Sequence, residues 1–145
     1  MKTKYILYLS AGLFLLSLTQ KCYCTTSNCA DSIMVFLIGW LGAFSGGAAI
    51  TWFANPALLF SWITLKSNPK FSMIAAFSAC LLAMFFLMFG EITANESGQV
   101  QPITEYRLGY WLWLSSTVVM VFGSAWAVRM QRMGKATNED VSLPA

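Results

Sequence analysis

The chain has 145 residues, of which 57% are hydrophobic and only 10% charged. A soluble domain carries about 25% charged residues, so this chain lacks the polar surface to stand in water alone. Its net charge of +3 comes from cations scattered along the sequence, which excludes a nucleic-acid footprint. The absence of histidine removes the commonest general base, zinc ligand and haem ligand.

The first apolar run, Tyr5 to Leu18, has 14 residues and places a helix over about 5–19. It is short for a crossing, which takes about 20 residues, and suits a signal-peptide core. Small residues at Ser17 and Thr19, or Cys22 and Cys24, could serve a cleavage site, but Lys21 directly after the run argues against one. A retained helix is the preferred reading and a cleaved signal the alternative. Residues 20–32 form a polar loop with Cys22, Cys24 and Cys29. A structural disulfide is expected here. Cys24–Cys29 is the preferred pair, because Cys22 and Cys24 are too close in sequence for good bridge geometry. Metal is not expected: three thiols have help only from Asp31. The Cys-x-x-Cys spacing of thioredoxin-like enzymes is also absent. Cys80 lies in an apolar segment and reads as a free, packed thiol.

From Ile33 to Ala54 no charge interrupts 22 residues, which predicts a second span over 33–54. Asn55-Pro56 then reads as a helix restart, with Asn as cap and Pro at the first helical position. The piece 56–65 is too short to cross. Leu58, Leu59, Trp62 and Leu65 share one face, which fits an interfacial helix anchored by Trp62. A re-entrant half-helix is the rival. Asn68-Pro69 repeats the pattern and opens a third span, 71–90. Residues 91–107 form a second polar loop with Glu91, Glu96 and Glu105. A last span covers 108–128, and a tail follows over 129–145.

Small residues give the clearest positional signal. Gly39, Gly42, Gly46 and Ala49 line one face of the second span, and Ser72, Ala76, Ala79 and Ala83 one face of the third. Small faces let helices approach closely in lipid, so these two stripes are expected to form a packing seam. No ionisable residue falls within a span, which counts against a proton-coupled pump. Thr51, Asn55, Ser115, Ser116 and Thr117 are the polar groups left at depth.

Positive charge stays on the cytoplasmic side of short loops. With the N-terminus inside, seven Lys and Arg fall inside and two, Lys21 and Arg107, fall outside. The expected fold is therefore an all-α membrane bundle forming one unit. It has four transmembrane helices, the first possibly a signal peptide, and a short interfacial helix. Both termini are cytoplasmic, and loops 20–32 and 91–107 are outside. The claudin-type Trp-Gly-Leu-Trp with paired cysteines is missing, as is the Cys-x-x-Cys of quinone-linked disulfide formers. The expected function is non-enzymatic: an accessory or assembly subunit in the lipid bilayer, with a membrane-protein partner or a second copy. No cofactor, metal or nucleic acid is expected. A small oligomeric transporter or channel along Asn55-Pro56 and the glycine face is the alternative. A thiol-disulfide enzyme built on the Cys22–Cys29 loop is the third reading.

Overall fold

The computed structural model describes residues 3–44, 47–93 and 99–141, the last seven by their backbone only. In chain order they form α1 (Thr3–Leu18), β1 (Lys21–Thr25), β2 (Cys29–Asp31) and α2 (Ser32–Ala43). A 3-10 helix (Gly47–Phe53) runs directly into α3 (Ala54–Ser67). Then come α4 (Pro69–Phe85) with a 3-10 turn (Phe86–Met88), β3 (Glu91–Thr93), β4 (Val100–Tyr106) and α5 (Leu108–Val141). The molecule is mostly helical, with a small antiparallel sheet of order β2-β1-β4-β3.

Three segments are long and apolar enough to cross a membrane: Gly47–Ser67, Pro69–Met88 and Leu108–Gly134. Their outward faces carry large bare side chains, among them Ile63 at 76% and Phe122 at 73% exposure. Lipid covers such groups without cost, whereas water would not. α1 and α2 are shorter, at 16 and 12 residues.

The stretch 33–54 does not form one spanning helix. α2 rises only about 18 Å and cannot traverse about 30 Å of hydrocarbon. The chain turns after it and folds back. Gly42 faces Ala49, Gly39 lies against the Trp52 ring, and Trp52 Nε1 donates to the Phe36 carbonyl at 2.9 Å. Gly47 takes φ +62 at the reversal, a left-handed conformation that glycine adopts without strain. No charged residue interrupts 33–54, so hydropathy alone does not mark this reversal.

The piece 56–65 does not stand apart as a short helix; it is the second half of Gly47–Ser67, a segment long and apolar enough to cross. Asn55-Pro56 does not restart a helix. The chain stays helical from Gly47 to Ser67, changing from 3-10 to α at Ala54. Pro56 fits within the first turn of α3, where backbone N–H groups lack intrahelical partners in any case. Asn55 therefore caps nothing. Asn68-Pro69 does open a helix, with Pro69 at the start of α4.

α1 packs antiparallel along α5, and Ile6 enters a notch left by Gly123. A Cβ on Gly123 would stand 2.0 Å from Ile6 Cγ2. α3 and α4 form a hairpin, and α5 packs on α4 as well as α1. Ser72, Ala76, Ala79 and Ala83 are all fully buried. Their neighbours are Ala54, Leu58, Ser61 and Leu65 of α3, together with α5. The two small stripes therefore do not oppose each other: Gly39, Gly42 and Ala49 serve the fold-back of α2 on 47–53. Gly46 lies outside the described residues.

The two polar loops come together as the sheet. Tyr23 pairs with Tyr106 and Cys24 with Glu105, joining β1 to β4. Glu91 pairs with Pro102 in the β3–β4 hairpin. Gly109 lets α5 begin hard against β1, since a Cβ there would stand 2.6 Å from the Lys21 carbonyl oxygen.

Candidate functional site

Two groups of chemistry-bearing side chains stand out. One sits beneath the sheet and the other lies in the middle of the bundle.

Alternation along β1 turns Cys22 and Cys24 toward the bundle. Cys24 is bridged to Cys29, its direct partner across β1 and β2. Cys22 is free and buried among Tyr110, Phe86 and Ala48. Burial pushes its thiol up to about 12, and the Ser32 hydroxyl beside it draws it down slightly. That hydroxyl makes no well-formed hydrogen bond of its own. Burial, with Cys22 adjacent, also raises the Tyr23 phenol to about 12. Tyr106 is raised by burial too, and its hydroxyl donates to the Phe89 carbonyl at 3.1 Å. Tyr110, fully buried, donates to the Ala83 carbonyl at 2.8 Å. Arg107 Nε lies 3.3 Å from Cys24 Sγ, and its guanidinium pairs with Glu105. Lys21 pairs with Asp31 at 2.6 Å.

This arrangement suits structure better than redox chemistry. The thiolate is the nucleophile, and burial holds Cys22 in its neutral form. Among the described residues no three His, Cys, Asp or Glu converge to hold a metal.

The second group ties the helices together. Trp113 Nε1 of α5 donates to Asn55 Oδ1 of α3 at 2.9 Å, while Asn55 Nδ2 donates to the Trp52 carbonyl at 3.1 Å. Ser10 of α1 donates to the Ser116 carbonyl at 3.0 Å and accepts from Trp62 Nε1 at 3.0 Å. Ser61 and Ser72 exchange bonds across the α3–α4 hairpin at 3.0 and 2.8 Å. Thr51 and Thr117 bond back within their own segments. Trp62 is thus no surface anchor; its ring enters the bundle and meets Phe14 edge-on. Ser115, by contrast, is exposed. A buried indole N–H needs an acceptor, so pairing the tryptophans with deep Asn and Ser residues was the signal that could have located this network.

The fold and these contacts define a mostly helical protein with three segments long and apolar enough to cross a membrane and a disulfide-pinned sheet at one end. Compared with protein-family models, curated proteins and solved structures, the chain matches none.

Proposed function

We propose that the chain is a four-span membrane protein acting as a non-catalytic accessory or assembly subunit of a membrane complex. The observation that carries this reading is how the buried polar groups are used. Asn55, Ser10, Ser61, Ser72 and Ser116 all bond within the bundle. Among the described residues only the Ser32 hydroxyl is buried without a partner. Polar groups that line a solute path must instead face it. Asn55, the residue best placed for such a path, has both ends of its amide occupied. The neutral, buried Cys22 weighs against a thiol-disulfide enzyme.

α1 serves as the fourth span, retained in the mature chain. Its face Ile6, Ser10, Phe14 and Ser17 is buried, and its removal would strip Trp62 and Ser116 of a hydrogen-bond partner. The sheet faces the outside, where disulfides persist, and both termini face the cytoplasm. The two cations at the sheet end, Lys21 and Arg107, are each paired with an acid. Lys66 and Arg129 stand at the other end, as the positive-inside rule requires.

Two measurements on the full chain test the function. Reconstituted alone into vesicles, it should pass ions and small solutes no faster than empty vesicles do. Extracted from its own membrane in mild detergent, it should run in native mass analysis within a stoichiometric assembly containing another protein. Solute flux by the purified chain, together with a mass made only of its own copies, would overturn the accessory reading in favour of a transporter.

A further inference from the structure

At the end of the bundle away from the sheet, the helices leave a half-open groove of about 360 Å³, within the size range of small-ligand sites. Thr3 of α1, Leu65 and Lys66 of α3, and Trp126, Ala127 and Met130 of α5 line it. Most of its lining side chains are apolar, and it bears one ammonium, that of Lys66. Lys66 makes no ion pair with any described residue. The acidic side chains described, Asp31, Glu91 and Glu105, all belong to the sheet. Arg129 flanks the groove near Trp126, while Arg132 stands on the far side of α5, about half a turn away from its lining residues. Lys70 follows Pro69 at the start of α4.

We propose that this groove binds one anionic phospholipid. Lys66 would meet the phosphate, Trp126 would lie at headgroup level, and Leu65 and Met130 would pack the first part of an acyl chain. The proposal rests on the membrane-spanning reading and is independent of the accessory role. Three features favour a lipid over other occupants. Among the described residues no carboxylate pairs with the ammonium or competes with a phosphate for it. The tryptophan is half exposed at a helix end, and indoles favour the headgroup level of bilayers. The groove lies between helix ends, where basic pockets gather acidic headgroups. A soluble anion would make no use of the apolar walls.

Native mass spectrometry of the full chain in mild detergent tests this, with phosphatidylglycerol or phosphatidylcholine as the added lipid. The chain should retain one phosphatidylglycerol in clear preference to phosphatidylcholine. Lys66→Gln should cut that preference by about fivefold, the usual worth of one cation near an anionic headgroup. Thr3→Trp, which fills the groove without altering charge, should displace the lipid as well. Arg132→Gln should change little. Thermal unfolding of each variant separates a lost site from a lost fold. Equal losses from Lys66→Gln and Arg132→Gln would reveal a diffuse attraction and overturn the proposal. So would displacement by free glycerol phosphate as effective as by the lipid, or a second copy of the chain filling the groove. Flux or complex formation would be untouched by any of these results, so the two proposals fail separately.

Discussion

Asn55 joins two long apolar segments through a single side chain, its oxygen taking the Trp113 indole of α5 and its nitrogen the Trp52 carbonyl of its own segment. Asn55→Leu should leave an indole N–H with no partner in an apolar interior. Interhelical hydrogen bonds in membranes average about 0.6 kcal/mol and reach about 1.7, so a loss of about 1–2 kcal/mol is expected in mixed-micelle unfolding. Trp113→Phe should cost a similar amount, and the double variant less than the sum. Strict additivity would mean the bond is not formed. Cys22 gives a pH dependence. Its thiol stands at about 12 in the fold against an ordinary 9.0. As pH rises the unfolded chain loses this proton first, so stability is complete below about pH 9 and falls from there toward 12. Tyr23 acts with the same sign. Cys22→Ala should flatten the decline in an alkaline series of unfolding curves.

The helical elements differ in how far the sequence reveals them. α4 and the membrane part of α5 are legible, because Asn68-Pro69, Gly90 and Arg129 bound apolar runs of spanning length. The stretch 33–54 is not. No charge interrupts it, so hydropathy does not separate a fold-back from a crossing. The sheet is hidden for a different reason. β1 depends on β4, far along the chain, and its stability lies in that pairing rather than in local propensity. Asn55 attracts attention in the sequence, but proximity to Pro56 suggests a cap, and only the three-dimensional placement of Trp113 reveals its partner. The α1–α5 contact offers a direct test at this scale. Gly123→Ala should overpack against Ile6 at a cost of about 1–3 kcal/mol. Ile6→Ala alone should cost about 2–5 kcal/mol as a cavity. Together they should fall short of the sum by at least about 0.5 kcal/mol, because the new methyl occupies space the lost one vacates. Independent effects would mean that α1 does not sit in the Gly123 notch.

For the molecule as a whole, the proposed orientation rests on where, among the described residues, charge is paired. Val100 in β4 and Ser67 at the end of α3 are exposed at opposite ends. With Cys22 and Cys80 changed to alanine and the Cys24–Cys29 bridge kept, Val100→Cys should react with an impermeant maleimide on intact cells. Ser67→Cys should react only after the membrane is opened. The reverse pattern would invert the topology. Intact mass of the same preparation should include α1, and loss of about 20 N-terminal residues would reduce the protein to three spans.

The sheet also imposes an order in time. β1 and β2 are complete once Asp31 has been made, but β4 begins at Val100, about 70 residues later. At a synthesis rate of about 5–20 residues per second, that is an interval of about 3–14 s. During it the hairpin must keep an unpaired edge available while the apolar segments Gly47–Ser67 and Pro69–Met88 are made. The short Cys24–Cys29 loop can close without anything downstream, so the bridge holds the edge in register until its partner arrives. Cys29→Ser should therefore delay the gain of protease resistance in newly made chains more than it lowers the resistant fraction finally reached.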